Sequence, residues 1–484
     1  MIIVRNLFIF LQFAVLFLLF NPFLLTPFSF ALDTYDLQRI LQWILIGLSL
    51  LHLGVDRPVR LHAFGFLQSL CLYKKVFLAL IFIVGFISSL HAAHPAYALM
   101  DLATYYGLFL TVLLFTGLFC IGGKAYLNYF YAFILLTFAV SCGTALLMLF
   151  YDVTLPSFHL VSGDAVYTFL ASPGYMNRRF YDDVACMALP ILIGLAYQTE
   201  NKKIQINWLI FLLLSYMYTR GIISHSRIYI FEPLCLLMLF PFLYRRKALP
   251  FLGIQFAAIL VGAIFYMILY MHHQIIPASF PDRTFFNNRY LLWSIALSLM
   301  WHHPFLGVGP LHFNFYAQSL ETYAAHPHSA IMVIGSEWGL LVLAAVIILT
   351  VTGGISCIKN RNLIPMALMG SLVGVFLMAN VDGLIVMPAG QSMLCLILGW
   401  VCAAQSHGST AITQRVLPRW LSPSLLVLGG LSFLFMIMVN MMIVSFMDQV
   451  VMGMLTQCKA DCALSPNYWS EGFISYYSGQ INSN

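Results

Sequence analysis

The stretch Asn287–Tyr316, NNRYLLWSIALSLMWHHPFLGVGPLHFNFY, and its continuation Ala325–Thr350, AHPHSAIMVIGSEWGLLVLAAVIILT, concentrate the polar chemistry of this chain beside long apolar runs. Residues 327–357 read as one membrane-spanning helix, because about 20 mainly apolar residues suffice to cross a bilayer. His326 and His328 stand at the mouth of that helix. An imidazole there moves a proton near neutral pH while a lipid-borne molecule stays in the bilayer.

Composition points the same way along the rest of the chain. Of its 484 residues 61% are hydrophobic and only 8% charged, with a mean hydropathy of +0.90. A soluble globule carries about 25% charged residues, so that class is excluded. A β-barrel needs short alternating segments rather than continuous apolar blocks, and is excluded too. The formal net charge of +6 invites a nucleic-acid partner. No basic helix, aromatic-interleaved patch or nucleic-acid motif accompanies it, so none is expected.

Apolar runs fall at 7–30, 39–55, 76–95, 98–121, 127–150, 184–198, 207–223, 228–244, 250–271, 327–357, 364–381, 389–404 and 422–446. The sixth, seventh, eleventh and twelfth are the weakest. With Arg5 placed inside, alternate connections are basic, as the positive-inside rule asks. The inside set is Arg5, Arg57, Arg60, Lys74, Lys75, Lys124, Lys202, Lys203, Arg245, Arg246, Lys247, Lys359, Arg361, Arg415 and Arg419. Arg39, Arg178, Arg179, Arg220, Arg227, Arg283, Arg289 and Lys459 fall outside or at the outer boundary and ask for another reason.

The expected fold is therefore an all-α polytopic integral membrane protein, with about 12–13 transmembrane helices and an outer helical loop over a lateral cavity. Residues 1–271 hold the N-terminal helices, 272–326 a long outer loop, 327–446 the C-terminal helices and 447–484 a short outer tail. Within the loop, Tyr290–Trp301 reads as a helix and Pro304–Pro310 as its turn-rich exit. The first run ends in Ser29-Phe30-Ala31, like a signal peptide, but its length favours a retained anchor. Eight of the ten cysteines lie in or beside apolar runs as core residues; Cys458 and Cys462, in the tail, are spaced to close a small disulfide or to remain free thiols.

Three patterns carry a resemblance to a known family. R-x-x-x-W from Arg289 to Trp293, H-P-F-L-G-V-G-P from His303 to Pro310, and H-P-H-S-x-x-x-x-x-x-S-E-W-G from His326 to Gly339 resemble the core of the O-antigen ligase/polymerase superfamily. Those are bacterial integral-membrane glycosyltransferases that include the O-antigen ligases, O-antigen polymerases and O-oligosaccharyltransferases. The resemblance covers residues 170–405, including G-Y-M-N-R-R-F from Gly174 to Phe180 and S-H-S-R from Ser224 to Arg227. It implies transfer of a glycan from undecaprenyl diphosphate to an acceptor hydroxyl on the periplasmic side.

Under that resemblance His328 is the general base, with Ser329 standing where Asn is usual. A near-neutral imidazole can take the proton of an attacking sugar hydroxyl, while the plain alternative is an interfacial histidine bonded to backbone. His326 either hydrogen-bonds acceptor or phosphate, or is loop polarity with Pro327 setting the helix start. Arg227 and Arg289 match the arginines that hold the diphosphate, and Arg220, seven residues before Arg227, joins them if one helix runs through both. A guanidinium grips phosphate oxygens bidentately, which accounts for arginines placed against the charge rule; the plain alternative is snorkelling.

Glu337 sits deep in an apolar run and needs a partner, either a site group or an arginine. Asp382, in N-V-D-G at a helix break, has no assigned role, and Arg179, Asp182 and Asp183 read as a solvated loop face. No metal motif, Walker motif or dinucleotide fingerprint is present, so no cofactor is expected and the donor is lipid-linked rather than nucleotide-linked.

The partners implied are an undecaprenyl-diphosphate-linked glycan donor, the bilayer, and an acceptor that is lipid A core, a growing glycan or a protein. The short tail favours lipid A core, hence a ligase. From a different class, a lipid-linked glycan transporter or flippase remains the alternative, although the polar residues cluster on one side rather than at the midplane.

Overall fold

The computed structural model describes residues 2–25, 34–154, 178–200, 203–224, 226–273, 284–318, 326–362, 364–406 and 421–455. A chain this apolar must satisfy its backbone internally, and helices do so within each segment. In order they are α1 (Ile2–Phe20), α2 (Thr34–Val55), α3 (Arg57–Ser69), α4 (Leu72–His91), α5 (Pro95–Thr154), α6 (Arg178–Ala196), α7 (Trp208–Ile223), α8 (Ile228–Tyr244) and α9 (Ala248–His273). Then come α10 (Thr284–His302), α11 (Phe313–Gln318), α12 (Ala330–Val333), α13 (Leu340–Lys359), α14 (Met366–Val381), α15 (Pro388–Ser406) and α16 (Leu421–Leu455). A π-helical turn, Ile334–Trp338, joins α12 to α13.

The apolar runs fall on helices wherever they are described, except that 327–357, read as one helix, is broken into α12, the π-helical turn and α13, with Gly339 outside helical geometry; the fold is an all-α polytopic membrane protein. Eight stretches of the described residues are long and apolar enough to cross a membrane. Two of these are double. Pro95–Leu147 breaks at Gly123, whose φ of 49° and ψ of −125° end one helical arm and start another, and Ile228–Met271 contains α8 and α9 joined by the tight turn Arg245–Lys247. Trp208–Ile223 and Met366–Val381 are shorter apolar helices, matching two of the weaker runs.

Two elements were not legible as such. Tyr197–Glu200 and Lys203–Ile206 form a two-stranded antiparallel hairpin where the sixth apolar run passes into the connection bearing Lys202 and Lys203. The segment after α2, also read as a connection, is the amphipathic α3, whose Asp56 cap accepts the Val59 amide at 3.3 Å. Its Val59, Ala63 and Phe64 are buried in the main core. Asp56 also pairs with Arg5, and Arg60 donates to the Leu53 and Gly54 carbonyls at the end of α2. Residues from two connections placed inside by the charge rule thus meet at one end of the bundle. Ser29–Ala31 and the Cys458–Cys462 pair lie outside the described residues.

The long bent α5 is the packing spine. It contacts α2, α3, α4, α15 and α16, while α6–α9 and α14 form a second group that meets it through α6, α7 and α15. At the end opposite Arg5, two non-helical stretches interlock. Leu340 N–H donates to the Pro304 carbonyl at 2.7 Å, Val308 N–H to Ser336 at 2.9 Å and Gly309 N–H to Glu337 at 2.9 Å. Gly339 has a φ of 86°, and a Cβ on it would lie 2.3 Å from the Phe305 carbonyl oxygen, so no side chain fits there.

Glu337 completes the interlock. Its buried carboxylate accepts the Leu311 and Phe313 amides at 3.1 and 3.0 Å, so its partners are backbone groups rather than the site group or arginine expected. Replacing it orphans two N–H groups, that of Phe313 buried and that of Leu311 partly so. Glu337→Leu is therefore expected to cost about 1–3 kcal/mol for each orphaned donor, read as a lowered unfolding temperature of the purified chain in detergent; unchanged unfolding would show that the clasp is dispensable.

Candidate active site

The site is assembled from four pieces of chain. α10 carries Arg289 and Trp293; residues 326–329 carry the histidines; the turn between α14 and α15 carries Asp382; and the Pro304–Phe313 loop closes one side. Trp293 fixes the first two pieces together, its indole N–H donating to the Pro327 carbonyl at 2.9 Å. The tryptophan of R-x-x-x-W is thus the anchor of the histidine loop.

His328 occupies the left-handed backbone region, with φ of 53°. That conformation is uncommon for a residue with a side chain and persists only where its surroundings impose it. Its own N–H turns back to donate to His326 Nδ1 at 3.1 Å, and the two rings lie 4.3 Å apart between centroids. Because Nδ1 of His326 accepts, that ring is neutral with its proton on Nε2. Burial, then the neighbouring His328, pushes the His326 pKa down to about 3. The charge of Arg289 contributes in the same direction, which puts the guanidinium within electrostatic range of the histidines.

On its other side His328 meets Asp382. Nδ1 of His328 lies 3.3 Å from Oδ1 of Asp382, with 27% of the histidine side chain and 8% of the aspartate side chain exposed. The carboxylate also accepts the Gly383 amide at 2.9 Å. Gly383 lies flat against His326, since a Cβ there would stand 2.7 Å from the ring Cε1. With Nδ1–H given to Asp382, the free Nε2 of His328 is the ring nitrogen left to act as a base.

A second buried histidine braces the closing loop. His312 donates from Nδ1 to the Pro310 carbonyl at 2.7 Å and accepts the His94 amide on Nε2 at 3.0 Å. Burial pushes its pKa down to about 4, so both bonds persist at neutral pH.

The arginines divide. Arg227 is exposed, at the position just before α8. Arg220 is buried in α7: it donates to Asp182 at 2.7 Å and to Tyr229 at 2.9 Å, and its guanidinium carbon lies 3.5 Å from the centre of the Tyr181 ring. α7 ends at Ile223, so the continuous helix that would align Arg220 with Arg227 does not form. The Arg220 guanidinium is held in an ion pair with Asp182 and a hydrogen bond to Tyr229, which join α6, α7 and α8. Asp182 and Asp183, read as a solvated face, are fully buried. The largely apolar cleft of about 680 Å³ along α7, between α5 and α9, has Thr219 and Arg220 on its wall.

The structure therefore gathers His326, His328, Asp382 and Arg289, whereas Arg220 belongs to the α6–α8 cluster. Asp382 is the residue that sequence reasoning left without a role; its one signal was a carboxylate at a helix break. Among the described residues, no group of three or more His, Cys, Asp or Glu side chains is placed to hold a metal ion.

Fold and site together define a multi-pass membrane protein with a histidine–carboxylate pair at one end of its bundle. Residues 208–347 match the family model of the O-antigen ligase, and this segment of the chain is similar to that family. No curated protein matches the chain.

The neutral state of His326 carries a pH signature. In an open chain a histidine titrates near 6.5, and here it is held down at about 3. Opening the loop binds a proton across that interval, so loop stability is full above about pH 6.5 and is lost as pH falls towards 3. Hydrogen exchange at residues 326–329, corrected for intrinsic rates, is expected to rise over that range. His326→Asn should flatten the rise; equal profiles in both proteins would refute the assignment.

Proposed function

We propose that the chain transfers a glycan from undecaprenyl diphosphate to an acceptor hydroxyl, most simply as an O-antigen ligase acting on lipid A core at the periplasmic face of a bacterial inner membrane. The observation that carries this reading is the His328–Asp382 contact of 3.3 Å beside the Arg289 helix. An imidazole whose Nδ1–H is held by a carboxylate presents Nε2 to a substrate and is stabilised when it takes up a proton.

In the proposed step, Nε2 of His328 removes the proton of the acceptor hydroxyl. The hydroxyl oxygen attacks the anomeric carbon from the face opposite the leaving group. The bond from that carbon to the diphosphate oxygen breaks, its electron pair stays on the diphosphate, and the configuration inverts. Arg289 and the exposed Arg227 supply fixed positive charge where the departing diphosphate gathers negative charge. His326, neutral at working pH, hydrogen-bonds acceptor or phosphate as a donor through Nε2–H. The step uses neither metal nor nucleotide.

Arg220 supports this arrangement from within. Asp182, which it holds, also takes hydrogen bonds from Tyr229 and Ser226, the residue before Arg227. The buried pair thereby fixes the turn from which Arg227 projects.

Membranes carrying His328→Ala are expected to lose transfer by about 10²–10⁴-fold, and Arg289→Ala to be severely impaired. Asp382→Asn should lower turnover with little effect on donor binding. Normal rates in both alanine variants would end the assignment. In a deletion strain, donor should accumulate on the outer leaflet; accumulation on the inner leaflet would favour a flippase instead. Gel analysis of lipopolysaccharide and glycoprotein from that strain separates ligase, polymerase and protein-modifying activities.

A further inference from the structure

The turn that presents Asp382 is held from behind by a buried arginine the site description does not use. Residues 382–387 connect α14 to α15, and within the turn the Val386 and Met387 amides both donate to the Gly383 carbonyl, at 2.8 and 2.9 Å. Three of the carbonyls that follow meet side-chain donors. Ile385 accepts Tyr105 Oη at 2.8 Å and Gln391 Nε2 at 2.5 Å, Val386 accepts Arg39 Nη2 at 2.8 Å, and Pro388 accepts Gln42 Nε2 at 3.1 Å.

Arg39 is the centre of this set. Its Nη1 donates to the side-chain oxygens of Gln42 and Gln391 at 2.8 and 3.1 Å, and its Nη2 also reaches Tyr35 Oη at 2.9 Å. One planar group thus ties α2 to α15 and to the turn. The residue is buried, and among the described residues no carboxylate forms an ion pair with it. Asp101 on α5 lies within electrostatic range of Arg39, but the atoms that touch the guanidinium are amide, hydroxyl and carbonyl oxygens, and an apolar side chain would fill the same space without the cost of burying a cation. What an apolar side chain lacks is the fork of fixed N–H directions.

The front of the same turn faces the histidines, through the Asp382 carboxylate and through Gly383 packed on His326. We propose that Arg39 is a positioning residue for His328: it grips the Val386 carbonyl and, through the stiff Gly383–Met387 turn, holds the Asp382 carboxylate against the imidazole. This rests on the reading of His328 as the base. It also gives a reason for an arginine on the outer side of the charge rule, one that involves no contact with substrate. Tyr105 assists from α5, where its ring also meets Trp338 edge-on at 5.4 Å, so both walls of the site lean on one side chain.

The test uses the full chain in lipid nanodiscs with a lipid-diphosphate-linked glycan donor and its acceptor. Arg39→Met, similar in volume and without the fork, is expected to lower kcat by about 10²-fold, the cost of a small misplacement of a reacting group. The donor KM should not change, as fits a loss felt only in the transition state. Arg39→Lys should restore part of kcat, because an ammonium holds the Val386 carbonyl but cannot fork to both glutamines. Hydrogen exchange in Arg39→Met should rise at Gly383–Met387 and not at the Arg5–Asp56 end.

A folded Arg39→Met protein with normal kcat, or with reduced kcat but unchanged exchange at the turn, overturns the proposal. If that variant does not fold, Tyr105→Phe decides: it removes one bond to the same turn and should reduce kcat in the same direction, and a normal kcat overturns the idea. His328→Ala is run alongside. Full activity there sinks the active-site reading, while the exchange result still reports on the clamp itself.

Discussion

Backbone that leaves the helix inside an apolar bundle must find hydrogen-bond partners in the protein, because the surroundings offer none. The Glu337 carboxylate meets that demand for the loop between α10 and α11, taking the amides of Leu311 and Phe313. Ser88 adds to it by donating to the Leu306 carbonyl at 2.6 Å. Once the loop is laid along the π-helical turn, the end of α10 is fixed, and Trp293 sets the histidine loop against it. The left-handed His328 and the turn bearing Asp382 then have defined places to meet. Without that carboxylate the loop would have unsatisfied groups, and nothing would set the height of the histidines above the bundle.

Burial decides what each arginine does, although the side chains are the same. Arg220 and Arg227 stand seven residues apart, yet one is enclosed with Asp182 and the other faces outward. Arg39 shows a third use, a cation held by carbonyl and amide oxygens. The sequence marks all three as departures from the positive-inside rule, and the structure gives two of them, Arg220 and Arg39, buried partners. The departure does not reveal why, because ion pairing, ligand contact and backbone support all call for the same donor set.

The helices were legible because their signal is local: a long apolar run in a chain this poor in charge has one stable way to satisfy its backbone. The histidines and Arg289 were legible because their spacing around Trp293, Pro304 and Glu337 is compact and resembles a known pattern. Pairings across the chain were not. Asp382 is 54 residues from His328, and Arg39 is 347 from Val386, so no periodicity or spacing links them. Asp182 and Asp183 misled for a related reason: acidic residues beside Arg178 and Arg179 look like a wetted loop until the helix that contains them is seen to pack on its neighbours. The amphipathic α3 escaped because its buried face is only a few residues wide.

The segment that matches the family model ends at residue 347, and the partner of its histidine lies beyond it. Asp382 comes from a later turn, and the arginine supporting that turn comes from the second helix of the chain. A segment exchanged between two such proteins would therefore carry its imidazole into a foreign carboxylate and a foreign brace. Chimeras built on the recognisable boundary would inherit a site divided between two parents, and functional grafts would have to take the Asp382–Met387 turn and its α2 contact along with the histidine loop.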